Sequence, residues 1–216
     1  MVTNRTIDRV IRILKEEVAR WEEPIVGHYK ADSFQTLISC LLSLRTKDAV
    51  TAEASRRLFA RARTPQTLLA LPIPTIEQLI YPVGFYKTKA RTLHSVCRDL
   101  LERFGGRVPN DLDQLLTLKG VGRKTANLVI TLAFAKPGIC VDTHVHRITN
   151  LWGYVRTRTP EETEMALRRR LPRQHWLIIN DLLVAYGQHL CVPVSPKCSQ
   201  CRLATVCARR GVQHSR

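Results

Sequence analysis

Lys124 stands in Leu118-Lys119-Gly120-Val121-Gly122-Arg123-Lys124-Thr125-Ala126-Asn127, where two glycines one residue apart interrupt a helical pattern. An amphipathic run, Ala126, Val129, Ile130, Ala133 and Phe134, follows at once and predicts a new helix. For an arbitrary helix a phosphate contact or a solvated charge is the simpler role for such a lysine. Here the positive end of the helix dipole and the neighbouring cations Lys119 and Arg123 disfavour another ammonium and favour the neutral amine. A neutral amine can attack C1′ of a sugar and form a Schiff base, so Lys124 is a candidate nucleophile. The glycines permit positive φ and close backbone approach, and the free N–H groups of Gly120-Val121-Gly122 suit a phosphate.

Asp142 lies in Val141-Asp142-Thr143-His144-Val145-His146-Arg147 and reads first as a helix N-cap. A carboxylate beside a reacting sugar could also stabilise an oxocarbenium-like transition state and help deprotonate the amine. His144 and His146 are two residues apart, diverge on a helix and read as local hydrogen-bonding or DNA-facing groups rather than a zinc pair.

Four of the seven cysteines crowd into one turn-rich stretch: Cys191, Cys198, Cys201 and Cys207, separated by six, two and five residues. Four thiolates in one loop can enclose a metal centre. Structural zinc usually shows two close-spaced pairs, whereas four-cysteine iron–sulfur ligation accepts less regular spacing, so the iron–sulfur reading ranks ahead of zinc and both ahead of chance clustering. Lys197, Arg202, Arg209 and Arg210 in or beside the loop suggest contact with a DNA backbone, against the simpler reading of a solvated surface. Cys40, Cys97 and Cys140 sit among apolar neighbours and read as buried small residues.

Helical periodicity dominates the elements that must hold these groups. Ile7, Val10, Ile11, Leu14, Val18 and Trp21 form one stripe ended by Pro24. Ser33 to Leu44 is apolar nearly all round and should be central to a core, and Asp48 to Ala60 is a further helix. Thr64-Pro65 is an N-cap followed by proline at the first helical position, and Thr75 to Ile80 repeats the style after Pro74. Lys87 to Phe104 ends at Gly105-Gly106, a short helix around Leu112 to Leu118 precedes the glycine pair, and Asp142, Pro160 and Pro172 open three more. With no run of alternating strands, the fold class is all-α, about ten helices.

Thirty-four Lys+Arg against 18 Asp+Glu give a formal charge of +16 over 216 residues, which points to a polyanionic partner, nucleic acid before a membrane surface. No apolar run approaches a membrane span, and Met1 to Arg20 has neither the apolar core of a signal peptide nor the acid-poor composition of a transit peptide. A cytoplasmic, nucleoid-associated protein of bacterial or archaeal type is expected.

The glycine-lysine stretch, then Val141-Asp142-Thr143-His144, then Cys-x6-Cys-x2-Cys-x5-Cys, in this order and spacing, resemble the endonuclease III family of helix-hairpin-helix DNA glycosylases, from about Ile7 to Cys207. The resemblance implies a two-lobed fold: a six-helix barrel over residues 23–136 carrying the hairpin, and a helical domain made of 1–22 and 137–216 with a C-terminal 4Fe–4S loop. It implies Lys124 as nucleophile, Asp142 as its partner carboxylate, and Cys191, Cys198, Cys201 and Cys207 as cluster ligands. Gly120, Val121, Gly122, Lys119, Arg123 and His144 would lie along the DNA. The implied partner is double-stranded DNA with damaged bases or abasic sites, bound by a monomer. The implied reaction is removal of an oxidised pyrimidine followed by β-elimination of the strand, with the target nucleotide flipped out so that C1′ can be reached.

Two positions, Arg45 and Lys119, depart from the family pattern, and Phe85 sits at its apolar wedge. Arg45, in Leu42-Ser43-Leu44-Arg45-Thr46-Lys47-Asp48, stands where glutamine is usual; Phe85, in Val83-Gly84-Phe85-Tyr86-Lys87, where an apolar wedge, often leucine, is usual; and Lys119 where proline is common. Arg45 and Phe85 would fill the space left by the flipped base, against the simpler readings of a phosphate contact and core packing. A guanidinium pairs best with guanine acceptors, so Arg45 facing the orphaned base favours lesions opposite guanine. The competing functions are a monofunctional mismatch glycosylase, whose relatives generally lack a lysine at the position of Lys124, and a non-enzymatic DNA-binding module, against which the pairing of Lys124 with Asp142 argues. If phosphate neutralisation dominates affinity, raising monovalent salt from about 50 to 200 mM should weaken duplex binding about a hundredfold, the loss expected for roughly four phosphate contacts. A titration in fluorescence anisotropy checks this.

Overall fold

The computed structural model describes residues 1–21 and 32–216. The described residues contain eleven α-helices and no strand. The expected end of the first helix at Pro24 and the lobe boundary at residue 23 lie outside them. The chain divides into two compact units, Ile25–Lys136 and the combination of Met1–Pro24 with Pro137–Arg216.

The first unit holds α2 (Ser33–Ser43), α3 (Asp48–Arg61), α4 (Pro65–Leu69), α5 (Ile73–Ile80), α6 (Tyr86–Phe104), α7 (Leu112–Leu116) and α8 (Arg123–Phe134). Its axis is α2 packed on α8. Phe34 and every residue from Thr36 to Leu42 are buried, as the all-round apolar pattern of this helix requires. On α8 every residue from Thr125 to Thr131 is buried, so this helix is enclosed nearly all round, and only Ala133 and Phe134 of its expected apolar face are half-buried. Local chemistry sets several helix starts. Asp32 accepts the backbone N–H groups of Phe34 and Gln35 at 2.9 and 3.0 Å, Thr64 forms a capping box with Thr67 ahead of Pro65, and Asp111 accepts from Gln114 at 3.0 Å. Helix α6 ends at Gly105, whose φ of +58° is the left-handed stop that glycine supplies without strain.

The second unit holds α1 (Ile7–Val18), α9 (Thr143–Leu151), α10 (Pro160–Arg170) and α11 (Ile179–His189). Helix α11 packs on both α1 and α9. Its core joins Ile7, Ile11 and Leu14 of α1 to Val145 and Ile148 of α9, Leu183 and Tyr186 of α11, and Trp152 and Tyr154 beyond α9. Thr159 caps α10 by accepting Glu162 N–H at 3.2 Å, with Pro160 in the first turn. Pro172 departs from expectation: it opens a 3₁₀ turn, Arg173–His175, and α11 starts only at Ile179. Trp21 lies past the end of α1 and stacks on His189, ring centroids 4.6 Å apart. No helix of the described residues is long and apolar enough to cross a membrane.

Candidate active site

Helix α7, the turn 117–122 and α8 form the expected helix-hairpin-helix. Leu118 N–H donates to Leu115 O and Val121 N–H to Leu118 O, both at 3.1 Å, and Leu118 and Val121 turn into the core. The two glycines serve different ends. Gly120 has φ +78°, and a Cβ there would stand 2.9 Å from Thr92 Cγ2 on α6, so this position requires glycine. Gly122, the N-cap of α8, has φ −92°, and an added Cβ would meet nothing within 4 Å. The expectation that both glycines serve positive φ therefore holds for Gly120 alone. At Gly122 the missing side chain leaves open space over the first N–H groups of α8.

Lys124 is exposed in the first turn of α8, immediately before the enclosed stretch Thr125–Thr131. Asn127 donates from Nδ2 to Arg123 O at 3.1 Å, which braces that turn. The charge of Lys124 reaches Cys40 in the middle of α2. Burial pushes the Cys40 thiol up to about 12, against the pull of Lys124, so it stays neutral at ordinary pH.

Two loops of the same unit carry Arg45 and Phe85. Phe85 is 63% exposed and belongs to no core. Arg45 and Phe85 both adopt left-handed backbone, φ +52° and +58°, and the Arg45 guanidinium carbon lies 5.9 Å from the Phe85 ring centroid. Lys89, on the first turns of α6, donates from Nζ to Leu42 O at 2.7 Å, Leu44 O at 2.5 Å and Thr46 Oγ1 at 3.1 Å. Burial pulls its ammonium down to about 8. Nothing in the sequence pattern singled out Lys89, because its partners are more than forty residues away.

In the other unit Asp142 is 8% exposed and caps α9, its Oδ1 accepting Val145 N–H at 2.9 Å. The His144 ring rests on α11 at Gly187, where any β-carbon would collide with it. His146 pairs through Nδ1 with Thr163 Oγ1 at 2.7 Å.

Cys191, Cys198, Cys201 and Cys207 line one recess of about 420 Å³, a volume that includes space open to solvent, together with Leu151, Trp152, Tyr186 and Leu190. Burial raises the thiols of Cys191 and Cys207, and the other cysteines of the group raise them further. Opposing this, Arg147 Nη1 lies 3.7 Å from Cys191 Sγ and donates from Nη2 to Cys191 O at 2.5 Å. Tyr186 Oη lies 3.0 Å from Cys201 Sγ, and Arg209 N–H donates to Cys207 Sγ at 3.4 Å. Among the described residues no three His, Cys, Asp or Glu side chains are gathered as a single metal ion needs. Four sulfurs about one zinc would stand only about 3.8 Å apart, from a Zn–S bond of ~2.3 Å; around a cube of four irons, each taking one cysteine, they stand farther apart. A set of four thiols lining one recess is a donor set that a 4Fe–4S cluster takes. Arg202 pairs with Glu16 at 2.8 Å and Glu17 at 3.2 Å, tying the cysteine loop to α1. Arg147 and Tyr186 were not legible as neighbours of the sulfurs, since neither lies in the loop.

Residues 38–173 match the model of the HhH-GPD superfamily of base excision DNA repair proteins. Endonuclease III of Thermotoga maritima is 48% identical over 188 residues, 86% of this chain and 88% of that protein. Two solved structures align over 97% of this chain and of their own at 33% identity: a non-covalent endonuclease III–DNA complex with a TM-score of 0.87, and a trapped endonuclease III–DNA covalent intermediate, an estranged-adenine complex, with a TM-score of 0.86. The hairpin itself yields a direct test. Gly120→Ala should cost about 1–3 kcal/mol in urea denaturation through its left-handed φ, whereas Gly122→Ala should cost less than about 1 kcal/mol, the scale of an N-cap change.

Proposed function

The chain belongs to the endonuclease III family of helix-hairpin-helix base excision repair proteins, a DNA glycosylase and AP lyase, and we propose that Lys124 is its nucleophile on oxidised pyrimidines in duplex DNA. The observation that carries this reading is the placement of Lys124, an exposed residue, at the start of a helix whose next seven residues are buried. Such a helix cannot shift to accommodate the sugar, so the flipped nucleotide must come to the amine.

The neutral Lys124 Nζ bonds to C1′ as the C1′–N bond to the base breaks; the C1′–O4′ bond then opens, the amine's protons passing to a base and to O4′, and an imine is left at C1′. The imine acidifies the C2′ proton, and its removal expels the 3′ phosphate. Asp142 is the partner carboxylate: Val145 N–H at the start of α9 holds its orientation, suited to stabilising positive charge on the sugar and to taking a proton from the amine. Gly120 and Gly122 offer backbone N–H groups to a phosphate without reading sequence, while Val121, whose N–H is used by Leu118 O, anchors the turn between them; Lys119 and Arg123 add charge, with His144 beside the strand. Phe85 enters the stack and Arg45 faces the orphaned base. The protein acts as a monomer.

Cys191, Cys198, Cys201 and Cys207 would hold a 4Fe–4S cluster, which supplies a cross-link of the C-terminal loop and a potential electron carrier. Arg147, Tyr186 and Arg209 N–H supply the hydrogen bonds and positive charge that thiolate sulfur favours.

On duplex DNA carrying one oxidised cytosine, the product should be a cut strand bearing a 3′ unsaturated aldehyde and a 5′ phosphate; an intact abasic strand as sole product would contradict the lyase reading. Wild type should excise faster opposite G than opposite A, and Arg45→Gln should reduce that ratio; equal rates in both proteins would remove Arg45 from orphan-base reading. The purified protein should be yellow-brown with about four iron atoms per chain, and a colourless protein with stoichiometric zinc would exclude the cluster.

A further inference from the structure

The Arg45 and Phe85 loops meet at one ammonium. Lys89 spends its three protons on Leu42 O, Leu44 O and Thr46 Oγ1, the carbonyls left open by the end of α2 and a hydroxyl of the loop that follows. Thr46 Oγ1 also accepts Gly84 N–H at 3.2 Å, from the loop that ends in Phe85. Gly84 itself is required, because a Cβ there would stand 2.7 Å from Arg45 O. On the far side Arg57 of α3 donates from Nε to Leu79 O at 2.9 Å and from Nη2 to Tyr81 O, so the Phe85 loop is held from both ends.

This fastening is costly in two ways. Arg45 and Phe85 are not glycine yet hold positive φ, a conformation that persists only where the surroundings over-determine it. Lys89 is half-buried against three neutral oxygens, and that burial pulls its ammonium down to about 8. An apolar side chain in the same place would avoid the desolvation but would leave only the Gly84 N–H bond to Thr46 and the Arg45–Phe85 contact between the two loops.

We infer that Lys89 is a positioning residue whose ammonium locks the Arg45 loop to the Phe85 loop, so that the two side chains enter duplex DNA as one rigid unit. The inference rests on the reading of Arg45 and Phe85 as the groups that fill the space of the flipped base. Lys89 touches no reacting atom. It acts on the step that opens the duplex, and single-stranded abasic DNA, which has no orphaned base, does not need that step.

The test measures single-turnover rates with the full-length, metal-loaded protein on two substrates. One is a duplex with an oxidised cytosine opposite guanine, and the other a single strand with an abasic site. Lys89→Met should lower the duplex rate at least about tenfold more than the single-strand rate, the scale of a sub-ångström misplacement. Phe85→Ala should show the same selective loss, and the double variant should lose little more than either single one, because both changes act through one element. Equal loss on both substrates, or losses that multiply in the double variant, would overturn the lock while leaving the wedge intact. Phe85→Ala without selective loss would instead overturn the wedge, and the lock with it. Thr46→Val removes the acceptor shared by Lys89 and Gly84 and should shift the rate ratio in the same direction; if Lys89→Met fails to fold, this variant decides, and an unchanged ratio overturns the proposal.

Discussion

Burial of α8 against α2 is the constraint on which the hairpin unit depends. Seven consecutive residues of α8, Thr125 to Thr131, and seven of α2, Thr36 to Leu42, have no face left for solvent. Side chains in such a close-packed interior cannot slide by even a methylene without cost. The first turn of α8 is therefore fixed in space although it is exposed, and whatever Lys124 does it does from a rigid base. The same rigidity gives Gly120 its role. The chain must reverse between α7 and α8 within a few residues, and Thr92 leaves no room for a β-carbon at the reversal.

A second constraint is charge. A protein at +16 repels itself and must use some cations internally. Arg202 ties the cysteine loop to Glu16 and Glu17 of α1, Arg147 lies on Cys191, and Lys89 closes the end of α2. The Lys89 contacts brace the loop of Arg45 beside the loop that presents an exposed Phe85. Exposed ion pairs such as Arg56–Glu53 contribute little by comparison.

Much of this was legible in the sequence, and the divide follows the range of the interactions. Helix starts set by a local signal, a cap with a proline at Thr64-Pro65 and Thr159-Pro160 and a cap alone at Asp142, were readable because the capping hydrogen bond is local. The all-round apolar pattern of Ser33 to Leu44 was readable as a core helix for the same reason. Pro172 misled because the short 3₁₀ turn it opens satisfies its own hydrogen bonds and delays α11 to Ile179. Gly122 looked like its neighbour Gly120 but has ordinary φ. Lys89, Arg147 and Tyr186 could not be read, since their partners come from segments 15 to 47 residues away and only tertiary packing brings them together. The pairing of Arg202 with Glu16 and Glu17 could not be read either, since these acids lie near the other end of the chain.

The central claim is that the amine of Lys124 bonds to the sugar. Incubating the protein with abasic duplex DNA and borohydride, then digesting and sequencing the adduct by mass spectrometry, tests it most directly. The prediction is a single DNA-linked peptide carrying the modification on Lys124, and no adduct from Lys124→Gln under conditions where that variant still binds the duplex. An adduct on another lysine, or one undiminished in Lys124→Gln, would contradict it.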